Sequence, residues 1–189
     1  HEALANNTSA SYNTAVGRYS LYTNTTGAGN VALGYGALYS NTTASKNTAI
    51  GFNAATTTTA TNQTVVGYDA LRHCTTGKEN TAIGVESMFT CTTGTENAAV
   101  GYYSLYAITT GSYNTAVGGN GTLSSVTTGE NNVAIGWGAG NKFTTGSRHT
   151  AVGAQCLFNA TTGEHNCGLG FQAGLSITTG NSNIVLGIE

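Results

Sequence analysis

The sequence predicts an all-β protein, a parallel β-solenoid (β-roll) of about eleven coils with a 17-residue period and no helices. Eleven times a small residue and a branched aliphatic residue lead into a glycine, and successive glycines lie 17, 17, 16, 17, 17, 17, 18, 17, 17 and 17 residues apart. A fixed period of this length indicates stacked repeats. Because the period is uninterrupted, we predict that residues 1–189 form a single continuous β-solenoid array. The repeat glycines are Gly17, Gly34, Gly51, Gly67, Gly84, Gly101, Gly118, Gly136, Gly153, Gly170 and Gly187.

The composition favours an ordered, weakly charged chain. Charged residues make up 7% of the sequence, the formal net charge is -2, and proline is absent. Low charge and many β-branched residues argue against disorder. The six Lys and Arg residues are scattered, which argues against nucleic acid as a partner. No apolar run is long enough for a membrane span.

Each coil contains one predicted strand, which ends at the repeat glycine, called position zero. Position minus one is always Val, Ile or Leu, and position minus three is Thr or a modest apolar residue. These two positions share a face of the strand, and we predict that they point inward. Positions minus two and zero then form a bare outer face. The glycine permits either a tight bend or the close approach of another backbone, from a facing sheet or a second chain, and both remain open.

A turn precedes each strand and has the pattern Thr-Thr-Gly-x-x-Asn. Asn occupies position minus four in nine of eleven coils, with Gln63 and His149 as the exceptions. Stacked amides can bond to one another along such a ladder. We place the one-residue deletion and insertion between the leucine at position plus four and the Thr-Thr-Gly. Aromatic residues after position zero, such as Tyr35 and Trp137, predict either packing or a sugar-binding row.

Two phrases carry a family resemblance, residues 114–118 (Asn-Thr-Ala-Val-Gly) and 132–136 (Asn-Val-Ala-Ile-Gly). They resemble the head repeats of trimeric autotransporter adhesins (YadA-like) and related repeats of bacteriophage tail fibres. The resemblance implies a left-handed parallel β-roll with three chains packed side by side. It implies action through binding and length, with no catalytic residue. The 17-residue period is longer than that of the adhesin heads, because a Thr-Thr-Gly turn is added.

Cys74 and Cys91 are candidates for a disulfide, because they occupy the same position in adjacent coils. In-register stacking would place their Cα atoms about 4.8 Å apart, within the disulfide range. The alternative is a pair of reduced thiols in a ladder of small apolar residues. Cys156 and Cys167 occupy different positions, and we do not expect them to pair.

Seven sequons are candidate glycosylation sites, most of them just before the Thr-Thr turns. In a chain so rich in Asn and Thr, chance also produces many sequons. The acceptor residues would be Asn6, Asn7, Asn24, Asn41, Asn62, Asn120 and Asn159.

No pattern of catalytic, cofactor-binding or metal-binding residues is visible. The four histidines have no metal-ligand spacing, and Asp69 is the only aspartate. His149 replaces Asn in the ladder, which favours a structural role.

We therefore predict a non-enzymatic structural or adhesive protein that forms an extracellular fibre or fibre shaft, at a cell or virion surface. Expected partners are further copies of the chain, in a head-to-tail polymer or a homotrimer, and surface glycans. Head-to-tail stacking is expected because both ends of the sequence lie in phase with the repeat, without an atypical capping coil. The alternatives are an ice-binding β-solenoid with Thr ladders or a carbohydrate-binding tail-fibre segment.

Overall fold

The structure is a computed structural model that describes residues 2–188, and in this range it contains eleven strands and no helix. All strands are parallel and lie in one sheet, in the order of the chain. The predicted β-solenoid with a 17-residue period is therefore confirmed. The strands are β1 (Thr14–Val16), β2 (Val31–Leu33), β3 (Thr48–Ile50), β4 (Thr64–Val66), β5 (Thr81–Ile83), β6 (Ala98–Val100), β7 (Thr115–Val117), β8 (Val133–Ile135), β9 (Thr150–Val152), β10 (Cys167–Leu169) and β11 (Ile184–Leu186).

Neighbouring coils are in register along the whole stack. Thr81 of β5 pairs with Ala98 of β6, and the same position-to-position pairing holds from β1 to β11. Backbone hydrogen bonds also join coils outside the sheet, for example from Leu71 N–H to the Ser87 carbonyl at 2.9 Å. With a rise of about 4.8 Å per coil, the sheet is roughly 50 Å long.

The strands face the opposite way from the prediction. The middle residue of each strand points inward, and the residues on either side of it point outward: Ala82 is fully buried, whereas Ile83 is exposed and Thr81 half-buried. The interior is narrow, and the side chain at position plus four, such as Leu71, already fills it. Only a small residue then fits beneath the strand. The prediction that positions minus one and minus three point inward was therefore wrong.

Side-chain volumes in the core compensate for one another between positions. Leu71, Leu105 and Leu157 are fully buried at position plus four. Where glycine takes that position, at Gly140, the same coil carries a fully buried Phe143 three residues later. A Cβ atom at Gly140 would lie 2.9 Å from the Phe143 ring, so the ring occupies the space that a leucine would need.

The coil closes because several residues per turn adopt left-handed backbone conformations. Positive φ angles recur at positions plus two, plus four and minus five, as at Asp69 (50°), Leu71 (48°) and Glu79 (59°). Such conformations are uncommon for residues other than glycine. Their recurrence at fixed positions shows that the tight coil imposes them.

The repeat glycine provides both the tight bend and the room for close approach of another backbone that the sequence left open. Gly136 has a φ of 123°, and a Cβ atom there would lie 2.8 Å from the carbonyl carbon of Gly153. The bend and the close approach therefore coexist. The approaching backbone belongs to the next coil of the same chain.

Two coils depart from the 17-residue repeat, one with 16 residues and one with 18. In both, the change of length lies at a different place from the one we predicted. The deletion lies within the Thr-Thr pair. Thr58 occupies the buried position that precedes this pair in the regular coils, so Thr59 is the only threonine left between it and Ala60. The insertion lies at residues 119–121, before the buried Leu123. Both changes fall outside the strands, so the register of the sheet is preserved.

Candidate interaction surface

The outward side of the sheet is a continuous apolar surface. We call it the sheet face and define it by the residues at positions minus three and minus one of the eleven strands. Branched aliphatic side chains at position minus one are exposed along it, with values of 44% for Leu33, 42% for Ile135 and 52% for Leu169. The eleven strands contain no charged residue. Contiguous exposed apolar surface of this kind marks an interaction site.

Aromatic side chains extend the sheet face at position plus one, but many cover one another. The rings of Tyr35, Phe52 and Tyr68 are stacked, with centroids 5.1 and 5.3 Å apart and planes within 12° of parallel. Both faces of Phe52 are therefore covered by neighbouring rings, and a sugar could not stack on this residue. Trp137 differs, because Gly119 and Ala154 flank it at the same position of the adjacent coils. Glycan binding stays a prediction.

The asparagine ladder is a buried structural element. Asn97 donates from Nδ2 to the Gly111 carbonyl at 2.9 Å and accepts at Oδ1 from the Asn114 backbone N–H at 2.9 Å. The same two bonds recur in the coils of Asn80 and Asn132. The amides thus satisfy backbone groups of the next coil.

The first threonine of each Thr-Thr pair also joins coils. Thr75 donates from its hydroxyl to the Thr92 carbonyl at 3.1 Å, and Thr92 donates to Thr109 at 3.0 Å. These hydroxyl groups therefore donate to backbone carbonyls of the next coil. The second threonine of each pair, such as Thr76, is exposed.

His149 fills an asparagine position imperfectly. Its ring is 1% exposed, and Nδ1 accepts a hydrogen bond from the Asn166 backbone N–H at 3.2 Å. The proton therefore lies on Nε2, which finds no hydrogen-bond partner within residues 2–188. Burial lowers the pKa of His149, against the opposing influence of nearby carbonyls and Glu164. The neutral ring belongs to the folded state.

Replacing His149 by asparagine should reduce the loss of folding stability at acidic pH. Because the pKa of His149 is lowered on folding, the unfolded chain binds a proton below about pH 6.5 more readily than the folded chain does. This contribution to stability is full above that pH and falls as the pH drops towards the folded pKa. The His149→Asn variant should lose less stability between pH 7.5 and pH 5 in urea denaturation. It should also gain about 1 kcal/mol at neutral pH by supplying the missing amide donor.

A matched control is available in His165, which is exposed and belongs to the same region. His165→Asn should leave the pH dependence of stability almost unchanged. Equal slopes of stability against pH for the wild type and His149→Asn would contradict the assignment.

The predicted cysteine partners lie side by side. Cys74 and Cys91 are fully buried free thiols, and Cys91 Sγ lies 3.9 Å from Cys74 Sγ. The hydrogen bond to Cys74 and burial raise the pKa of the Cys91 thiol. Cys156 is buried, whereas Cys167 is half-buried in a strand of the sheet face.

The sequons fall into three groups by the exposure of the asparagine. Asn24 and Asn41 are fully buried, and the Asn41 amide donates to Asn24 Oδ1 at 3.0 Å, so neither offers its side chain to an enzyme in the folded chain. Asn159 is half-buried and donates to the Leu175 carbonyl. The remaining candidates are exposed, and their glycosylation stays a prediction: Asn6, Asn7, Asn62 and Asn120.

Across residues 2–188 no group of three or more His, Cys, Asp or Glu side chains could hold a metal ion. Asp69 is buried and pairs with Arg72 at 3.0 Å, three residues along the same coil. The described residues also form no helix long and apolar enough to cross a membrane.

One concavity lies beside the last described strand. Its volume is about 340 Å³, and Ile177, Val185 and Ile188 are among the residues that line it. It opens at the β11 end of the stack, beside the core residue Ala173.

No family model, curated protein or solved structure matches this chain. The sheet face was missed in the sequence, because the larger apolar residues of each strand were assigned to the core. The outward direction of these residues could have been predicted from the small residue at position minus two, together with a leucine at position plus four that already fills the interior.

Proposed function

We propose that this chain is a non-enzymatic structural element of an extracellular fibre, a β-solenoid rod that associates with further copies of itself through the sheet face. The observation that carries the proposal is the uncharged row of aliphatic side chains at position minus one, exposed on eight of the eleven strands and half-buried on β3, β4 and β9. Ladders of hydrogen bonds along the rod supply the rigidity that a shaft requires. The resemblance to adhesin heads and tail fibres favours three chains side by side and a location at a cell or virion surface.

The size of the sheet face supports self-association. The three-residue strands, together with position zero and the aromatic row at position plus one, form a surface five residues wide; at about 3.3 Å per residue and a length of about 50 Å, this surface covers about 800 Å². Each partner of a stable interface typically buries that area. A partner must also present side chains at the same spacing of about 4.8 Å, and a second copy of the chain does so along its whole length.

Charge on the sheet face should abolish lateral association. In the double variant Ile83→Lys/Val117→Lys, the ammonium groups lie on alternate coils, so they do not repel one another within the chain. They would have to be desolvated in a lateral interface, which costs several kcal/mol per charge. We expect sedimentation to show an oligomer for the wild type and a folded monomer for this variant.

The matched control places the same charges in the same coils at the turn. Thr76→Lys/Thr110→Lys changes two exposed residues that lie away from the sheet face, and this variant should remain oligomeric. A monomeric wild type, or equal loss of association in both variants, would contradict the proposal.

Coil-on-coil stacking is a second mode of self-association, because strand edges present unpaired backbone groups. Electron microscopy distinguishes it by filaments that lengthen with concentration.

Ice binding is a second candidate function, favoured by one observation. The structure turns threonines at position minus three outward, beside the aliphatic row, so that a flat face carries Thr48, Thr64 and Thr81 on successive coils. Such a face could order water at regular spacing. Thermal hysteresis in the wild type that disappears in Ile83→Lys/Val117→Lys would favour this function, and its absence would exclude it.

A further inference from the structure

Cys74 and Cys91 occupy one buried column of the coil interior. Thr58 precedes them in this column and Ile108 follows, and all four side chains are fully buried. Each sulfur lies near the carbonyl oxygen three residues later, at 3.5 Å for Cys74 and 3.7 Å for Cys91. The two side chains therefore occupy equivalent positions of the repeat and are related by one turn of the solenoid.

The geometry brings the two sulfurs close to bonding distance. They are 3.9 Å apart, and a disulfide of about 2.05 Å requires each to move by about 1 Å. On the turn side each sulfur lies beside a glycine, Gly77 or Gly94, which places no Cβ atom against it. A Cβ atom at Gly77 would lie 3.1 Å from Cys74 Sγ, and one at Gly94 would lie 3.5 Å from Cys91 Sγ.

We propose that Cys74 and Cys91 form an intrachain disulfide that fastens two adjacent coils. A small-molecule disulfide, such as oxidised glutathione, serves as the oxidant. The thiolate of one cysteine attacks it and releases one small thiol, and the second cysteine then displaces the other from the mixed disulfide. The two protein thiols lose two protons and two electrons, and one small disulfide becomes two thiols.

Burial dictates when this bond forms. Both thiols are inaccessible in the folded rod, so exchange takes place while the coils are still open. Once the coils close, the bond is shielded from reductants. The bond spans one full coil, including β5, and therefore prevents this coil from separating from its neighbours.

The test uses the full chain, refolded in a buffer of reduced and oxidised glutathione. Free thiols are then alkylated in denaturant, and peptides are mapped without reduction. We expect a single linked pair, Cys74 with Cys91, and alkylation of Cys156 and Cys167. Closing a loop of one coil should raise the midpoint of thermal unfolding by about 10 °C over that of protein refolded under reductant.

Two variants distinguish the bond from a general redox effect. Cys156→Ala/Cys167→Ala should retain the full difference between oxidised and reduced protein, whereas Cys74→Ala/Cys91→Ala should show none. Alkylation of Cys74 and Cys91 in the refolded protein, a glutathione adduct on either, or a bond to another cysteine would overturn the proposal. The bond lies within one chain, so its outcome is independent of self-association through the sheet face.

Discussion

The variant Gly136→Ala should lose about 4 kcal/mol or more of the free energy of unfolding, because alanine meets two obstacles there. Gly136 has a φ of 123°, outside the left-handed helical region that other residues sometimes adopt, and such strain costs up to about 3 kcal/mol. The new methyl group would also lie 2.8 to 3.1 Å from backbone atoms of Gly153 and Ala154, and overpacking of this kind costs about 1 to 3 kcal/mol. Urea denaturation and hydrogen exchange of the flanking coils measure the loss.

The control is a glycine at which neither obstacle of Gly136 is present. Gly29 has a φ of 69°, and a Cβ atom there would have no neighbour within 4 Å. Lys46 occupies the same position one coil later with a φ of 62°. Gly29→Ala should therefore cost only about 1 kcal/mol. If the two alanine variants were equally destabilised, close approach between coils would not be the reason for the repeat glycine.

The architecture could be predicted from the sequence because it depends on a period, and a period survives uncertainty about any single residue. One coil fixes the next, since bonds between neighbouring coils recur at equivalent positions of the repeat, as from Thr81 N–H to the Asn97 carbonyl and from Ala98 N–H to the Asn114 carbonyl. The exceptions support this reasoning. Gln63 and His149 interrupt the asparagine pattern, yet both keep the ladder position, and the backbone N–H of the next coil bonds to each side chain.

The direction of the strand side chains could not be obtained in the same way, because alternation defines two faces without saying which is inside. The usual rule assigns the larger apolar residues to the core. Here the interior is so narrow that Ala116 fills it beneath the strand and Val117 is left outside. The core of a solenoid this thin is limited by volume rather than by hydrophobicity. An apolar outer face is therefore a consequence of the fold that only the packing reveals.

The candidate sites also differ in whether the sequence could predict them. The adjacency of Cys74 and Cys91 was predictable, since it requires only register. The burial of Asn24 and Asn41 was not, because a sequon carries no information about the side of the coil on which its residue lies. In the structure these two amides stack in the column that Cys74 continues.

The variant Asn97→Leu should be destabilised by about 4 kcal/mol, although leucine has a similar size and is more apolar. The change removes the donor to the Gly111 carbonyl and the acceptor for the Asn114 N–H, each at 2.9 Å. Asn97 is 1% exposed, so little water can replace these bonds. A buried backbone group without a partner costs about 1 to 3 kcal/mol, and two such groups are left here. Chemical denaturation measures the loss.

A glutamine at the same position is the control, because the structure already contains one. Gln63 Nε2 donates to the Gly77 carbonyl, and Oε1 accepts from the Asn80 N–H at 3.1 Å, so the longer side chain makes both bonds of the ladder. Asn97→Gln should therefore retain most of the stability that Asn97→Leu loses. Hydrogen exchange at Asn114 gives a local measure, since its N–H should be protected in the glutamine variant and exposed in the leucine variant. Equal protection in both would show that the amide ladder is not what holds successive coils together.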